Sequence, residues 1–166
     1  IANKIIGIVG LGAIGQRTAK LAQAFGCKVI AWNRTPNIVD GVTLVDKETL
    51  LKESDIITLH IALNDETRNF ISAKEIELMK PSAVIINAAR GPIINTKDLA
   101  NALKNGQISG AALDVFDTEP PLDKNNPLLN LPNTILMPHV GFATKEAFEQ
   151  RLEIVIKNVE RFVNKA

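Results

Sequence analysis

The chain holds very little of several residues on which common chemistries depend. It has one cysteine, two histidines, one tryptophan and no tyrosine, and aromatic residues make up only 4% of its 166 positions. A single cysteine, Cys27, excludes an internal disulfide. Between the first helix and the second strand it reads as a buried structural thiol, and a reducing, cytoplasmic compartment fits it. No metal site is expected. Nor does charge of one sign dominate: 19 Lys and Arg stand against 18 Asp and Glu, a net charge of +1. Nothing in that balance points to nucleic acid or a membrane surface as partner. No apolar run is long enough to span a bilayer, and no signal peptide is visible. The length suits one domain with a real core. The chain opens at Ile1 rather than Met and closes inside a helical pattern. These read as the edges of an excised domain, with part of any active site carried elsewhere.

What the chain does have is short apolar runs alternating with helical patterns. The first run, Ile5-Ile6-Gly7-Ile8-Val9, leads into Gly10-Leu11-Gly12-Ala13-Ile14-Gly15 and then a helical pattern from Gln16 to Phe25. Strand, glycine turn and helix in that order make a dinucleotide-binding fingerprint. Gly10 permits the tight turn, Gly12 leaves room for a pyrophosphate, and Gly15 lets the helix pack closely on the strand. The turn residues Ala13 and Ile14 lead into the helix, whose N-terminus offers amide groups and a positive dipole end to phosphates. A plain β-α turn is the alternative reading.

Further strand candidates are residues 28–32, 55–60, 83–87, 109–113 and 134–137. They are apolar at nearly every position, as strands covered on both faces are. Helix signals stand between them. Gly26 can end the first helix in a left-handed cap. Asp46 can cap residues 47–53, and Ser72 to Glu75 forms a capping box for a helix stopping at Lys80 before Pro81. Asn95 and Gly106 bracket residues 96–105. Thr144 can cap a last helix to about Asn164, whose Phe148, Leu152, Val155, Val159 and Phe162 should face the core. The pattern predicts an α/β fold with a doubly wound, mainly parallel sheet. Residues 114–132, with Pro120, Pro121, Pro127 and Pro132, carry too many prolines for a helix or central strand and read as a functional loop.

Ligands of open parallel sheets bind beyond the carboxyl ends of the strands. Polar residues follow the strand candidates there: Asn33-Arg34-Thr35, His60, Asn87 to Gly91, Asp114 and Glu119, and Pro138-His139-Val140-Gly141. An arginine, two carboxylates and a histidine thus converge on one edge beside the glycine turn. A nicotinamide cofactor transfers hydride, and reducing a ketone also needs a proton, which a histidine can supply. A carboxylate bonded to the imidazole orients it and favours its charged form. An arginine holds a substrate carboxylate through paired hydrogen bonds. Arg90, Glu119 and His139 suit these roles, although each alone also reads as a cap, loop polarity or a turn histidine. His60 reads as a structural hydrogen-bonding group or a neighbour of the cofactor. Asp46, Asp65 and Glu66 read as caps or solvated positions.

On the segments Gly7 to Gly15, Leu78 to Pro81 with Asn87 to Gly91, Gly110 to Phe116, Glu119-Pro120 and Pro138 to Gly141, the chain resembles the NAD(P)-dependent D-2-hydroxyacid dehydrogenases. The likeness covers nearly the whole length. It implies a Rossmann cofactor domain, residues 1–166, taken from a two-domain enzyme whose substrate domain is absent, and a homodimer. By resemblance Arg90 binds the substrate carboxylate, Glu119 polarises the histidine and His139 is the general acid/base. Asp114 matches the aspartate contacting the nicotinamide carboxamide, and Ala88 and Ala89 place backbone near the cofactor. Ala62, Thr67 and Gly141 complete the implied cofactor contacts.

Two departures from the family pattern bear on the cofactor. Many members carry an acidic residue after the second strand, where this chain has Asn33, then Arg34 and Thr35. A neutral Asn33 removes repulsion of a 2′-phosphate and Arg34 could pair with it, which favours NADP over NAD. If Arg34 instead stacks on adenine or faces water, NAD remains usable. His60-Ile61-Ala62 lacks the family's frequent proline, and Phe142 stands where glycine is frequent. The implied substrate is a small 2-keto or 2-hydroxy acid. The competing reading is a non-enzymatic, corepressor-like dinucleotide sensor.

Overall fold

The computed structural model describes residues 1–119 and 122–164; the loop residues Pro120 and Pro121 of the sequence reading lie outside the described residues. Seven strands form one sheet, all parallel, in the order β3-β2-β1-β4-β5-β6-β7. They are β1 (Ile5–Val9), β2 (Lys28–Trp32), β3 (Val42–Leu44), β4 (Ile56–Leu59), β5 (Val84–Asn87), β6 (Gly110–Leu113) and β7 (Thr134–Leu136). The helices are α1 (Ala13–Ala24), α2 (Lys47–Glu53), α3 (Ala73–Ile76), α4 (Thr96–Lys104) and α5 (Lys145–Val163). The chain winds outward from β1 to β3, then returns to β4 on the other side of β1. That reversal is the topological switch point at which doubly wound sheets bind dinucleotides.

The core has two layers. Leu50, Leu51, Ile57, Leu59, Ile71, Ile76, Ile85, Ile93 and Leu99 fill one face of the sheet. Ile6, Ile8, Leu11, Ala19, Ala22, Val29 and Ala31 fill the other, beneath α1. Each fully buried leucine or isoleucine stabilises the fold by roughly 1.5–3 kcal/mol. Cys27 is buried and unpaired, its Sγ 3.3 Å from the Ile1 carbonyl oxygen, as a structural thiol should be.

The structure corrects the sequence reading at four elements. β3 carries no apolar run: it is three residues long, half open to solvent, and exists because Val42 to Leu44 pair with β2 at the sheet edge. α1 begins at Ala13 rather than Gln16, and α3 is a single turn that continues as hydrogen-bonded turns to Lys80. The largest departure is α5. Thr144 caps it as expected, accepting from Ala147 N at 3.2 Å. Yet the helix buries no residue, and Phe148, Leu152, Val155, Val159 and Phe162 are all more than half exposed. Helical spacing says which side chains share a face, not what that face meets. At 1.5 Å per residue α5 runs roughly 28 Å, far past the three-residue β7 beside which it begins.

Two glycines of the β1–α1 turn have different physical reasons. A Cβ on Gly15 would lie 2.1 Å from the Gly10 carbonyl oxygen, so only glycine lets α1 approach the turn this closely. A Cβ on Gly12 would meet nothing within 4 Å, and its extended backbone suits alanine. Gly15→Ala is therefore expected to cost about 1–3 kcal/mol of stability through overpacking, while Gly12→Ala leaves the urea midpoint close to wild type. Equal loss in both variants would remove the distinction.

Charge also ties the layers together. The buried Glu75 closes the capping box, accepting from Ser72 N at 3.0 Å, and pairs with Lys47 Nζ at 3.0 Å. Burial alone raises its pKa, but the Ser72 hydrogen bonds and Lys47 outweigh it, and the pKa lies below the ordinary 4.5. A depressed folded-state pKa contributes stability above the unfolded value and loses it as pH falls through the folded one. Glu75→Gln should lower stability at pH 7 and flatten the acid limb of the stability curve below about pH 4.5, measured by urea unfolding across pH.

Candidate dinucleotide and acid/base site

The glycine turn is built to take an anion. Gly10 has φ +99°, and a side chain there would strike His60 and Ile61, where the end of β4 passes the turn. Gly12, the N-cap of α1, supplies no side chain to its own helix, and no acidic residue stands in the first turn with Ala13 and Ile14. The amide donors of this helix end are therefore not taken by a side-chain cap, and the space over Gly12 is open. A pyrophosphate fits these features.

The turn is held from the side by Asn33. Its Oδ1 accepts from Leu11 N at 3.0 Å and its Nδ2 donates to the Thr35 carbonyl at 2.6 Å. The residue expected near ribose thus fastens the loop after β2 to the glycine turn, a role that neutral Asn performs through both ends of its amide. Gly10, Gly12, Asn33, Arg34, His60, Ala62 and Thr67 line one cavity of about 390 Å³, together with Trp32, Asn64, Glu66 and Phe70. Thr67 is committed within its own loop, its hydroxyl donating to the Ala62 carbonyl at 2.7 Å. His60 shares a 3.1 Å contact with Thr58 Oγ1, and burial holds its pKa below the ordinary histidine value. It stands on the cavity wall.

The residues expected to serve acid/base chemistry and substrate binding leave the same edge from three neighbouring strands. Arg90 follows β5, Asp114 and Glu119 follow β6, and His139 follows β7, with strands spaced about 4.8 Å apart. Glu119 and His139 meet directly: Nδ1 of His139 lies 2.5 Å from Glu119 Oε2, while Glu119 Oε1 accepts from Phe116 N at 2.6 Å. The carboxylate is held at both oxygens and fixes the ring, leaving Nε2 without a hydrogen-bond partner among the described residues. Both line a largely apolar cavity of about 260 Å³ with Phe116, Leu129, Met137 and Pro138. Arg90 is brought to the same edge but not into this contact. It lines another cavity with Ile14 and Ala89, which shares His60 and Ala62 with the glycine-turn cavity, and its Nη1 donates to the Ala89 carbonyl at 2.6 Å.

His139 has φ +55°, the left-handed region, which side chains other than glycine occupy infrequently. Asp114 holds it there: its two oxygens accept from Val140 N at 2.8 Å and Gly141 N at 2.7 Å. Asp114 is thus a loop anchor, whatever else it contacts. Phe142 packs edge-on against the imidazole, centroids 5.6 Å apart, with Arg151 of α5 over its ring. Two residues outside the expected site matter as much. The buried Asn87 donates to the Arg90 carbonyl at 2.9 Å and accepts from Ala89 N at 3.0 Å, shaping the Ala88 to Arg90 turn. Gly91 lies where a Cβ would fall 2.0 Å from the Phe116 backbone, so the Arg90 and Glu119 loops touch only through glycine. The signal for Asn87 was its place: a buried amide at the end of an apolar strand.

The family model for the D-isomer specific 2-hydroxyacid dehydrogenase NAD binding domain matches residues 1–141. A glyoxylate reductase of Thermococcus litoralis is 49% identical over 98% of the chain. The D-lactate dehydrogenase of Lactobacillus jensenii, solved with NAD+, superposes with a TM-score of 0.89 at 34% identity, covering 98% of this chain and 53% of its own. An acyclic imino acid reductase, solved with NADPH and D-Arg, gives 0.88 at 39% identity over 99% of this chain and 52% of its own. The chain spans 50% of the Thermococcus reductase, about half the length of the relatives it matches. Fold, glycine turn and matched segment agree: the chain belongs to the D-isomer specific 2-hydroxyacid dehydrogenase family, through its NAD-binding domain.

Proposed function

We propose that residues 1–166 are the cofactor domain of an oxidoreductase that moves a hydride between NAD(P) and a D-2-hydroxy acid or its 2-keto acid, with a substrate domain outside this chain. The observation that carries the reading is the Glu119–His139 contact at the carboxyl ends of β6 and β7, on the same sheet edge as the open glycine turn after β1. The nicotinamide supplies or accepts the hydride when bound. His139 gives a proton from Nε2 to the keto oxygen in reduction and takes it back in oxidation. Glu119 holds Nδ1 and keeps the ring oriented. Arg90, whose exposed guanidinium bonds only to the neighbouring Ala89 carbonyl among the described residues, is free to turn it onto the substrate carboxylate. The bare apolar positions of α5 and the half-length coverage support the missing domain. The reading includes a homodimer and a cytoplasmic location, the latter in keeping with the lone reduced cysteine.

Trp32, the only tryptophan, lines the glycine-turn cavity, so its fluorescence reports dinucleotide binding directly. Titration of the chain with NADH and NADPH should quench it; no response to either at millimolar concentration overturns the cofactor assignment. In the whole protein, His139→Gln should reduce kcat on 2-keto acids by about 10²–10⁴-fold while dinucleotide affinity stays within a few-fold. A small effect on turnover, or equal loss of binding, would remove the acid/base role.

Asn33 and Arg34 support use of NADP, since no carboxylate directly follows β2. Arg34→Ala should weaken NADPH by about ten-fold, the loss of one charge-assisted contact, and change NADH by less than two-fold. Equal loss for both dinucleotides would show that Arg34 does not meet the 2′-phosphate.

A further inference from the structure

Arg34 is not free in this molecule. Its Nη1 lies 3.4 Å from Glu66 Oε2, so the pair bridges the mouth of the glycine-turn cavity that both residues line. Each partner comes from a pinned loop. Arg34 sits between Asn33 and Thr35, which the Asn33 amide ties together and to Leu11. Glu66 sits in a turn closed by Asn64, whose Oδ1 accepts from Glu66 N and Thr67 N, both at 3.0 Å. The Thr67 hydroxyl closes the same turn on the Ala62 carbonyl. The backbones that carry the two charges are thus each fixed beside one cavity.

We infer that Glu66 sets the NADPH-to-NADH preference of this chain by competing with the 2′-phosphate for Arg34. The inference rests on the dinucleotide reading of the cavity. The carboxylate that is missing directly after β2 is supplied from the β4 side. A 2′-phosphate must part Arg34 from Glu66 and then lie beside a like charge, whereas a 2′-hydroxyl need do neither and can donate to the carboxylate. The side chains are 77% and 76% exposed, and a pair this open to water is weakly held and readily parted. Glu66 therefore lowers the preference for NADPH without abolishing NADPH binding.

Glu66→Gln keeps the side chain's size and removes its charge. In low-salt buffer, Trp32 titrations should show NADPH binding about five-fold tighter, the upper range for an exposed pair, with NADH changed less than two-fold. Salt near 0.1 M should shrink the gain. In an Arg34→Ala background the gain should disappear. Glu48→Gln, which removes an exposed glutamate paired with Lys52 away from the cavity, should leave the ratio unchanged. An unchanged ratio in Glu66→Gln, an equal gain without Arg34, or a matching gain from Glu48→Gln each overturns the role of Glu66. If both dinucleotides bind and only the ratio fails to move, the cofactor reading survives; if neither binds, both fall.

Discussion

The close approach of α1 to the turn that follows β1 governs the rest of the molecule. It depends on the absence of one side chain, at Gly15, over the carbonyl of Gly10. Because the helix can sit there, its N-terminus meets the carboxyl edge of the sheet at the switch point rather than beside it. The amide groups at Gly12 to Ile14 then face open space, and Leu11 comes within reach of Asn33. Lifting the helix by the width of a methyl group would move the anion-binding end, the loop after β2 and the cavity wall together. A stability determinant and a binding determinant thus reside in one turn, on separate glycines.

Around that turn, short polar side chains at strand ends shape the loops that follow. Asn33 after β2, Asn87 at the end of β5 and Asp114 after β6 each hold two backbone groups, in their own loop, a neighbouring one or both. The arrangement has a simple cause. Parallel strands end in unpaired backbone groups, and buried polar groups must be satisfied. An amide or carboxylate at each exit satisfies them while fixing the next few residues. The groups offered to a ligand are then the ones left over: the α1 amides, the Arg90 guanidinium and His139 Nε2.

Much of this was legible in the residues. Six of the seven strands show as apolar runs, because strands buried on both faces carry the signal at every position. Asp46, Asn95 and Thr144 cap helices as their chemistry demands. Glu119 and His139 could be paired because both must leave adjacent strands at one edge. β3 escaped because three half-exposed residues at a sheet edge carry no period. α5 misled because an apolar helical stripe is equally the mark of a core helix and of a helix awaiting a partner. The Arg34–Glu66 pair was hidden for another reason: the two residues are 32 positions apart, and neither Arg34 as a phosphate partner nor Glu66 as a cap or solvated position points to the other.

The conformation of His139 shows why this end of the sheet edge needs so much support. A left-handed backbone at a residue with a side chain costs of order 1–3 kcal/mol and persists only where its surroundings over-determine it. Here Asp114 grips the next two amides, Glu119 grips the ring, and Phe142 closes one side of it. The support crosses from β6 to the start of α5, because Arg151 lies over the Phe142 ring. Any body that packs on the bare face of α5 is therefore one aromatic ring away from the imidazole. A body docking there would bear on the orientation of His139 through the packing of Arg151 on Phe142 and of Phe142 on the imidazole.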